Sequence, residues 1–315
     1  MTNKLYLSVV IPVYNEKDSI RLLYEKLKSS LSNFKDYEII FIDDGSKDNS
    51  FEVIKQIAIN DKRVKAIQLK KNFGQTIAIS AGFDHAGGKV IVTMDADLQN
   101  DPEDIPKLIT KLEEGYDVVS GWRKTRKDPL SKRMPSRVAN KIISLVTGIK
   151  LHDFGCTLKA YRSEIIKNLK LYGEMHRFLP AYAQWAGAKI AEVEVKHHPR
   201  SYGQTKYGLA RTPSVIIDLI TTKFLIAFST KPSHIFGALG LILILTAMLL
   251  SLFITIRKFC FGGEWVSPLI FIITICFITG IQFILMGLLG EISIRTYHES
   301  QNKSPYLISQ FINKD

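Results

Sequence analysis

The chain has 315 residues, 46% of them hydrophobic and 23% charged, and a formal net charge of +12. This apolar content excludes a disordered chain, the length predicts about two domains, and the three cysteines, Cys156, Cys260 and Cys276, are too few and too scattered for a disulfide framework or a thiolate metal site. A sequence pI near 9.4 invites a nucleic-acid reading, but a mean hydropathy of +0.06 directs attention to membrane segments first.

From the N-terminus, short apolar runs alternate with helical stretches. Leu7–Val13, Glu38–Ile42, Val64–Leu69, Val90–Met94 and Val118–Ser120 read as strands, with helices at roughly 17–32, 48–60, 74–86 and 102–114 between them. The alternation predicts a parallel sheet with helices on both faces. Ligands of such sheets bind beyond the carboxyl ends of the strands. Those ends carry Tyr14-Asn15-Glu16, Asp43-Asp44-Gly45-Ser46, Asn72-Phe73-Gly74-Gln75 and Asp95-Ala96-Asp97-Leu98-Gln99. Neither G-x-G-x-x-G nor G-x-x-x-x-G-K-[ST] is present at these ends, which argues against a dinucleotide site and a P-loop. Asp44-Gly45-Ser46 suits a turn and Asp48 a helix N-cap, but acidic ends on neighbouring strands ask for more than capping.

The Asp95 to Gln99 segment is the sharpest of these. In an extended chain, residues i, i+2 and i+4 face one side, so Asp95, Asp97 and Gln99 would present two carboxylates and an amide oxygen together. Hard oxygen donors select Mg²⁺ or Mn²⁺ and leave positions for phosphate oxygens. The plainer alternative is two surface acids ahead of a helix that begins at Pro102.

Further along, Val138, Ile142, Leu145, Val146 and Ile149 form a stripe opposite Arg137, Asn140, Lys141 and Ser144. Such a helix lies in a membrane surface or packs on its own domain. In 208–228, Leu209, Ile216, Ile220, Phe224 and Ala227 oppose Arg211, Ser214, Asp218, Thr221 and Thr222, and this segment is expected at the membrane because it leads into the apolar tail. Residues 232–256 and 265–290 contain no Asp, Glu, Lys or Arg. Each run is long enough to cross a ~30 Å hydrocarbon core. The 14 Ile, Leu and Phe residues of 234–256 favour insertion by about 7 kcal/mol before polar costs, and uncharged runs of this length argue against two buried helices of a soluble core.

The short connection Arg257 to Glu264 makes the two spans a hairpin, with both flanks on one side. Residues 1–231 hold 37 of the 42 Lys+Arg and 26 of the 30 Asp+Glu, a net of +11. Lys223, Lys231, Arg295 and Lys303 are opposed by Arg257 and Lys258, a weak bias; the lack of a signal-peptide pattern in Met1 to Tyr14 places the N-terminal domain on the cytoplasmic side. Its basic residues are interspersed with acids and no aromatic-basic module stands out, so an anionic membrane surface explains the charge better than nucleic acid.

In this order the motifs resemble the family 2 glycosyltransferases with a GT-A fold. More closely, the chain is similar to the membrane-bound polyprenyl-phosphate glycosyltransferases, the dolichol-phosphate-mannose-synthase-like group. The resemblance rests on Ser8-Val-Val-Ile-Pro-Val-Tyr-Asn-Glu16, Asp43-Asp-Gly-Ser46, Asn72-Phe-Gly74, Asp95-Ala-Asp-Leu-Gln99, Gly121-Trp-Arg123 and the stretch His197 to Lys206, and covers about residues 5–230. The two-span tail is similar to that of bacterial members that glucosylate undecaprenyl phosphate or handle aminoarabinose in lipid A modification.

The resemblance implies an α/β fold: a GT-A, Rossmann-like, mostly parallel sheet catalytic domain plus a C-terminal two-helix transmembrane hairpin. The expected division is a cytoplasmic GT-A domain at 1–207, a juxtamembrane amphipathic helix at 208–231, two transmembrane helices within 232–290 and a cytoplasmic tail at 291–315, in the inner (plasma) membrane. Pro12, Tyr14, Glu16, Asp43, Asp44, Phe73, Gly74, Asp95 and Ala96 would bind the nucleotide. Asp95, Asp97 and Gln99 would hold Mg²⁺ or Mn²⁺. Arg123, Arg137, Arg200 and Lys206 would grip the lipid phosphate, Arg as a fork and Lys as a point charge.

Catalytic roles fall to Asp97 and to Asp153, which stands in His152-Asp-Phe-Gly-Cys156 where relatives carry an acidic active-site residue. Asp153 would orient sugar hydroxyls or act as a base; an Asx-turn before Gly155 is the other reading. His197 and His198 point apart if extended and make a poor metal pair. The implied activity is inverting transfer of a single hexose from a UDP-sugar to polyprenyl (undecaprenyl) phosphate. Glucose is the first choice, with aminoarabinose, galactose or mannose as alternatives. Gln184-Trp185 lacks the Q-x-x-R-W motif of processive synthases, which argues against a polymer product. Expected partners are the nucleotide sugar, the polyprenyl phosphate, membrane lipids and other copies in a homotetramer, with no nucleic acid. A non-enzymatic scaffold that binds sugar nucleotides is the competing class, and the intact Asp95, Asp97, Gln99 and Asp153 speak against it.

Overall fold

The computed structural model describes residues 5–125, 140, 143–144, 147–167, 169, 171, 175–199, 232–262, 268–300 and 306–313. The chain divides into two units, Met1–Lys223 with Ser304–Asp315, and Phe224–Lys303.

The first unit is built on a sheet of β1 (Leu7–Val13), β2 (Tyr37–Asp43), β3 (Val64–Leu69), β4 (Val90–Thr93), β5 (Val118–Trp122), β6 (Lys159–Arg162), β7 (Ile190–Glu194) and β8 (Ile308–Ile312), in the order β7-β5-β6-β4-β1-β2-β3-β8. β1 runs parallel to β2 and β4, β2 to β3, and β5 to β7; β6 and β8 are antiparallel to their neighbours. Helices α1 (Lys17–Ser30), α2 (Ser50–Asn60), α3 (Gln75–His85) and α4 (Ile105–Glu113) fill the crossovers, and α5 (Ser163–Ile166) and α6 (Leu179–Trp185) follow β6.

The central strands are apolar on both faces because both faces are covered. Val9, Ile11, Ile39 and Phe41 pack in one core with Ile20, Leu23 and Leu27 of α1 and Ile54 of α2. Val10, Ile40, Ile42 and Ile67 point the other way, to Ala78 and Phe83 of α3. The register aligns Val13 with Asp43, so the ends of β1 and β2 open at one edge of the sheet.

The strands and helices up to Trp122 lie where the alternation places them. Three strands do not follow from it. β6 is only four residues long and carries Lys159 and Arg162, so it has no apolar run to announce it. β7, Ile-Ala-Glu-Val-Glu, has an ambiguous alternation. β8 revises the expected 291–315 tail: the second apolar helix continues to Ser300, and Ile308–Ile312 then joins the sheet of the first unit. Ile67 pairs with Phe311 and Gln68 with Gln310. Tyr306 is buried and its hydroxyl donates to Asp84 Oδ2 at 2.9 Å, while the Asn313 amide donates to the carbonyl oxygens of Ala58 and Val64. An open edge at β3 would invite pairing with another chain, and β8 covers it.

The second unit contains α7 (Pro232–Phe261) and α8 (Leu269–Ser300). Phe236–Cys260 and Leu269–Gly290 are long and apolar enough to cross a membrane, with mean hydropathies of 2.7 and 2.6. Their outer side chains are exposed, Leu249 by 68% and Phe271 by 70%, which a soluble core helix would not tolerate. The two helices meet at Gly240 and Gly280. A Cβ at Gly240 would lie 2.5 Å from the Gly280 carbonyl oxygen, and one at Gly280 would lie 2.8 Å from that of Gly240, so only glycine permits this approach.

Of the apolar stripe Val138 to Ile149, only Ile149 is among the described residues and it is buried; Ile143, outside the stripe, is also buried, and the Asn140 amide donates to the His152 carbonyl, which favours packing of this stretch on its own domain. The 208–228 segment, Arg137, Arg200 and Lys206 lie outside the described residues.

Removing residues 306–315 uncovers the β3 edge and the Tyr306 pocket. The expected loss is about 2 kcal/mol or more, seen as a fall of roughly 4–8 °C in the thermal midpoint of the purified protein. An unchanged midpoint would show that β8 contributes nothing.

Candidate active site

The loops after β1, β2 and β3 are tied to one another by their own polar groups. Asn15 takes the left-handed region (φ 52°), which its short amide side chain tolerates. Its N–H donates to Ser46 Oγ at 2.9 Å and its Oδ1 accepts from Lys47 N at 2.8 Å. Glu16 N donates to Ser50 Oγ at 3.0 Å. Gly45 has φ +68°, and a Cβ there would stand 2.6 Å from the Lys71 carbonyl carbon and 2.7 Å from Asn72 N, so no other residue fits. The Asp44 carboxylate accepts from Phe73 N at 2.7 Å and Gly74 N at 2.9 Å. Asp43 accepts from Ser46 N at 3.3 Å. Asp48 is an Asx-turn acceptor for Ser50 N at 3.1 Å and not the N-cap of α2, which is Asn49.

Burial pushes the Asp44 carboxyl up to about 6, against the two N–H bonds that favour its charge, and burial also raises Asp43. Pro12 and Tyr14 are partly exposed at the end of β1, and Glu16 is buried. Phe73 is partly buried, with Lys71 Nζ 5.1 Å above its ring.

The Asp95 to Gln99 segment departs from the extended form that the alternation assumes. Leu98 adopts φ 62° with its side chain buried, and Gln99 N donates to Asp97 Oδ1 at 3.1 Å. An Asx-type turn therefore shapes the acidic segment, with the buried Leu98 side chain anchoring an unfavourable backbone region. Ala96 is buried beneath it. Asp95 Oδ1 accepts from Gln75 Nε2 at 2.8 Å and Oδ2 from Thr157 Oγ1 at 2.9 Å; Asn100 Nδ2 donates to the same hydroxyl at 2.8 Å. Burial raises the Asp95 carboxyl, opposed by the Thr157 bond and by the charges of Arg123 and Lys159.

Among the described residues no three His, Cys, Asp or Glu side chains converge as a metal cage. Asp97 and Gln99 supply the hard oxygen donors that Mg²⁺ or Mn²⁺ would accept, but fewer than a full shell, so such an ion would need ligand oxygens as well.

Arg123 and Asp153, expected in separate roles, form one unit. Arg123 Nε meets Asp153 Oδ2 at 2.7 Å and Nη2 meets Oδ1 at 3.0 Å, with Asp153 only 3% exposed. The guanidinium fork that could have gripped a lipid phosphate is engaged by a carboxylate. Gly155 N also donates to Asp153 Oδ1 at 3.1 Å, so the Asx-turn exists alongside the ion pair. Trp122 stacks on His152 with ring centroids 4.3 Å apart, and His152 Nδ1 lies 2.7 Å from Glu192 Oε2.

Beside Gln99 runs the chain that leads to Arg200. His198 N donates to the Gln99 carbonyl at 2.9 Å, His198 Nε2 lies 3.0 Å from Asp101 Oδ2, and Lys196 N donates to Asp104 Oδ2 at 2.6 Å. His198 is thus turned to Asp101, and His197 is buried next to Asn100. The sequence reading gave no role to Gln75, Asn100 or Thr157. Each is a polar residue directly beyond a quoted motif, and that adjacency was the available signal.

Asp44 generates a pH prediction. Burial holds its folded value at about 6, above the ordinary value of an aspartate. The stability it contributes is full below the unfolded value and is lost as pH rises through about 6. Asp44→Asn should flatten that limb of thermal midpoint against pH, because the amide does not titrate. An unaltered pH dependence would contradict the assignment.

The chain matches the Glycosyl transferase family 2 model over residues 8–170. It is 41% identical over 313 residues to the dodecaprenyl-phosphate galacturonate synthase of Rhizobium johnstonii, covering 97% of this chain and 93% of that protein. It is 39% identical over 313 residues to the undecaprenyl-phosphate 4-deoxy-4-formamido-L-arabinose transferase of Shewanella sediminis, covering 98% and 92%. Among solved structures, glucosyl-3-phosphoglycerate synthase from Mycobacterium tuberculosis with Mn²⁺, UDP and phosphoglyceric acid superposes with a TM-score of 0.56 at 17% identity, over 70% of this chain and 78% of that one. That likeness speaks for the fold. With a GT-A-like sheet whose loops converge on Asp44, Asp95 and Asp153, followed by two apolar helices, the chain belongs to the family 2 glycosyltransferases, in the group of polyprenyl-phosphate sugar transferases.

Proposed function

We propose that the enzyme transfers a single sugar from a UDP-sugar to a polyprenyl phosphate at the cytoplasmic face of a membrane, with a divalent metal ion. The observation that carries this is the near-full-length likeness, apolar hairpin included, to relatives named for sugar transfer to prenyl phosphates. The tied loops of Pro12, Tyr14, Glu16, Asp43, Asp44, Phe73 and Gly74, with Asp95 and Ala96, would receive the nucleotide. Mg²⁺ or Mn²⁺ held by Asp97 and Gln99, with Asp95, would neutralise charge on the departing diphosphate.

In the reaction, an oxygen of the lipid phosphate bonds to the anomeric carbon. The bond from that carbon to the diphosphate oxygen breaks, and its electron pair leaves with UDP. A single displacement of this kind inverts the anomeric centre. The acceptor oxygen is already anionic, so no strong base is required. Asp153, held by Arg123, is better suited to orient sugar hydroxyls than to take a proton. Arg137, Arg200 and Lys206 would take the acceptor phosphate.

Glucose, the first expectation from the sequence, gives way to other donors. The similar proteins are named for galacturonate and for 4-deoxy-4-formamido-L-arabinose, so the aminoarabinose-type alternative or a uronate has the better support. The net +11 of residues 1–231 suits a cytoplasmic leaflet rich in anionic lipid. Pairing of β8 with β3 also requires that the chain return, after its apolar helices, to the side on which the catalytic sheet lies.

Detergent-solubilised protein incubated with undecaprenyl phosphate, Mg²⁺ or Mn²⁺, and UDP-galacturonate, UDP-4-deoxy-4-formamido-L-arabinose or UDP-glucose should form a glycolipid with one of the first two. Absence of product with every UDP- or GDP-sugar and polyprenyl phosphate would refute the proposal. Asp97→Ala should lower turnover at least about 100-fold and leave membrane insertion unchanged; wild-type turnover in that variant would remove Asp97 from the metal site.

A further inference from the structure

Among the described residues Lys159 is the only buried lysine or arginine, at 2% exposure on β6. Its neighbours along the strand, Leu158, Ala160 and Tyr161, are fully buried. A charge in such a place is unfavourable unless it is held by partners. Its Nζ donates to the carbonyl oxygens of Phe154, at 3.1 Å, and of Cys156. These two carbonyls flank Gly155, at the middle of the turn 153–157.

That turn carries two groups of the site on opposite ends. Asp153 is clamped at one end by Arg123. At the other end, the Thr157 hydroxyl donates to Asp95 Oδ2 at 2.9 Å, and the Thr157 carbonyl accepts from Thr93 Oγ1 at 2.8 Å. Lys159 thus ties the middle of the turn from below, by a charged donor that can reach both carbonyls at once. A methionine would fill a similar volume without that cost, so the cation has a use. The nearby charges are also matched, with Asp95 and Asp153 against Arg123 and Lys159. Burial lowers the Lys159 ammonium, opposed by the fields of Cys156, Asp153 and Asp95.

We propose that Lys159 is a positioning residue for sugar transfer: its ammonium fixes the 153–157 turn so that Asp153 and the Thr157 hydroxyl stay where donor sugar and Asp95 need them. This rests on the sugar-transfer reading of the site. Lys159 touches no substrate in this account and acts through the turn.

The test compares Lys159→Met and Lys159→Arg with the full-length protein in detergent. In Lys159→Met, amide hydrogen exchange should quicken in the 153–157 turn while the central strands keep their protection. UDP binding, held mainly by the Asp44 loops with Asp95 at their margin, should weaken far less than kcat falls. The kcat for glycolipid formation should fall roughly 10–100-fold, the scale of a small misplacement of reacting groups. Lys159→Arg keeps a cationic donor and should recover most of that loss. Unchanged exchange and kcat in Lys159→Met would overturn the proposal. So would joint loss of UDP binding, strand protection and kcat in both variants, which would mark a structural role alone. If the wild-type chain transfers no sugar from any donor, the transfer reading falls by itself, and exchange in the turn with UDP binding retained still decides the role of Lys159.

Discussion

The site depends on one constraint: carboxylates crowded at the ends of neighbouring strands must be kept in place although they repel and are partly removed from water. The chain answers each in a different way. Asp44 receives two backbone N–H groups, Asp95 an amide and a hydroxyl, and Asp153 a guanidinium. Neutral donors leave the balance with desolvation, so Asp44 and Asp95 are raised, and Asp44 reaches about 6. Asp153 instead has a cationic partner, the two-point bond to Arg123, which compensates its almost complete burial. Asp44 and Asp95 on one hand and Asp153 on the other therefore have distinct electrostatic settings.

The same bonds make the edge rigid. Asp44 welds the second loop to the third, Asn15 welds the first to the second, and Thr157 joins the β6 turn to Asp95. Left-handed residues at Asn15, Gly45 and Leu98 turn the loops, at the cost of local strain for Leu98 and at little cost for Asn15 and Gly45. In the proposed reaction, donors fixed in this way would need little reorganisation as charge develops on the departing diphosphate.

A second constraint comes from the apolar hairpin. Helices with outward side chains as exposed as those of α7 and α8 require a lipid environment, and their close crossing at Gly240 and Gly280 relies on backbone contact, since lipid supplies no hydrophobic drive between helices. Beyond α8 the chain closes back on the catalytic sheet as β8, so the sheet edge and the end of the chain stabilise each other.

Much of this was legible in the sequence. Period-2 and helical patterns locate β1 to β5 and α1 to α4, because those elements bury apolar residues at a regular spacing. Uncharged runs locate the hairpin, and the ordered motifs identify the family. The patterns do not reach β6 and β8. A four-residue strand with a buried lysine and a strand that returns from the far end of the chain gain their stability from partners distant in sequence. The candidate acids follow the same division. Asp44, Asp95, Asp97 and Asp153 were readable as acids at strand ends or in motifs. Who answers each acid was not: Arg123 on Asp153, Thr157 on Asp95 and Lys159 under the turn are contacts across 30, 62 and 3 to 5 positions. The sequence by itself determined fold class, family and the acidic residues, because these are carried by local pattern. Only the tertiary structure decided that Arg123 belongs to Asp153, that Thr157 belongs to Asp95 and that β8 completes the sheet, because those depend on which distant groups the packed chain brings within hydrogen-bonding reach.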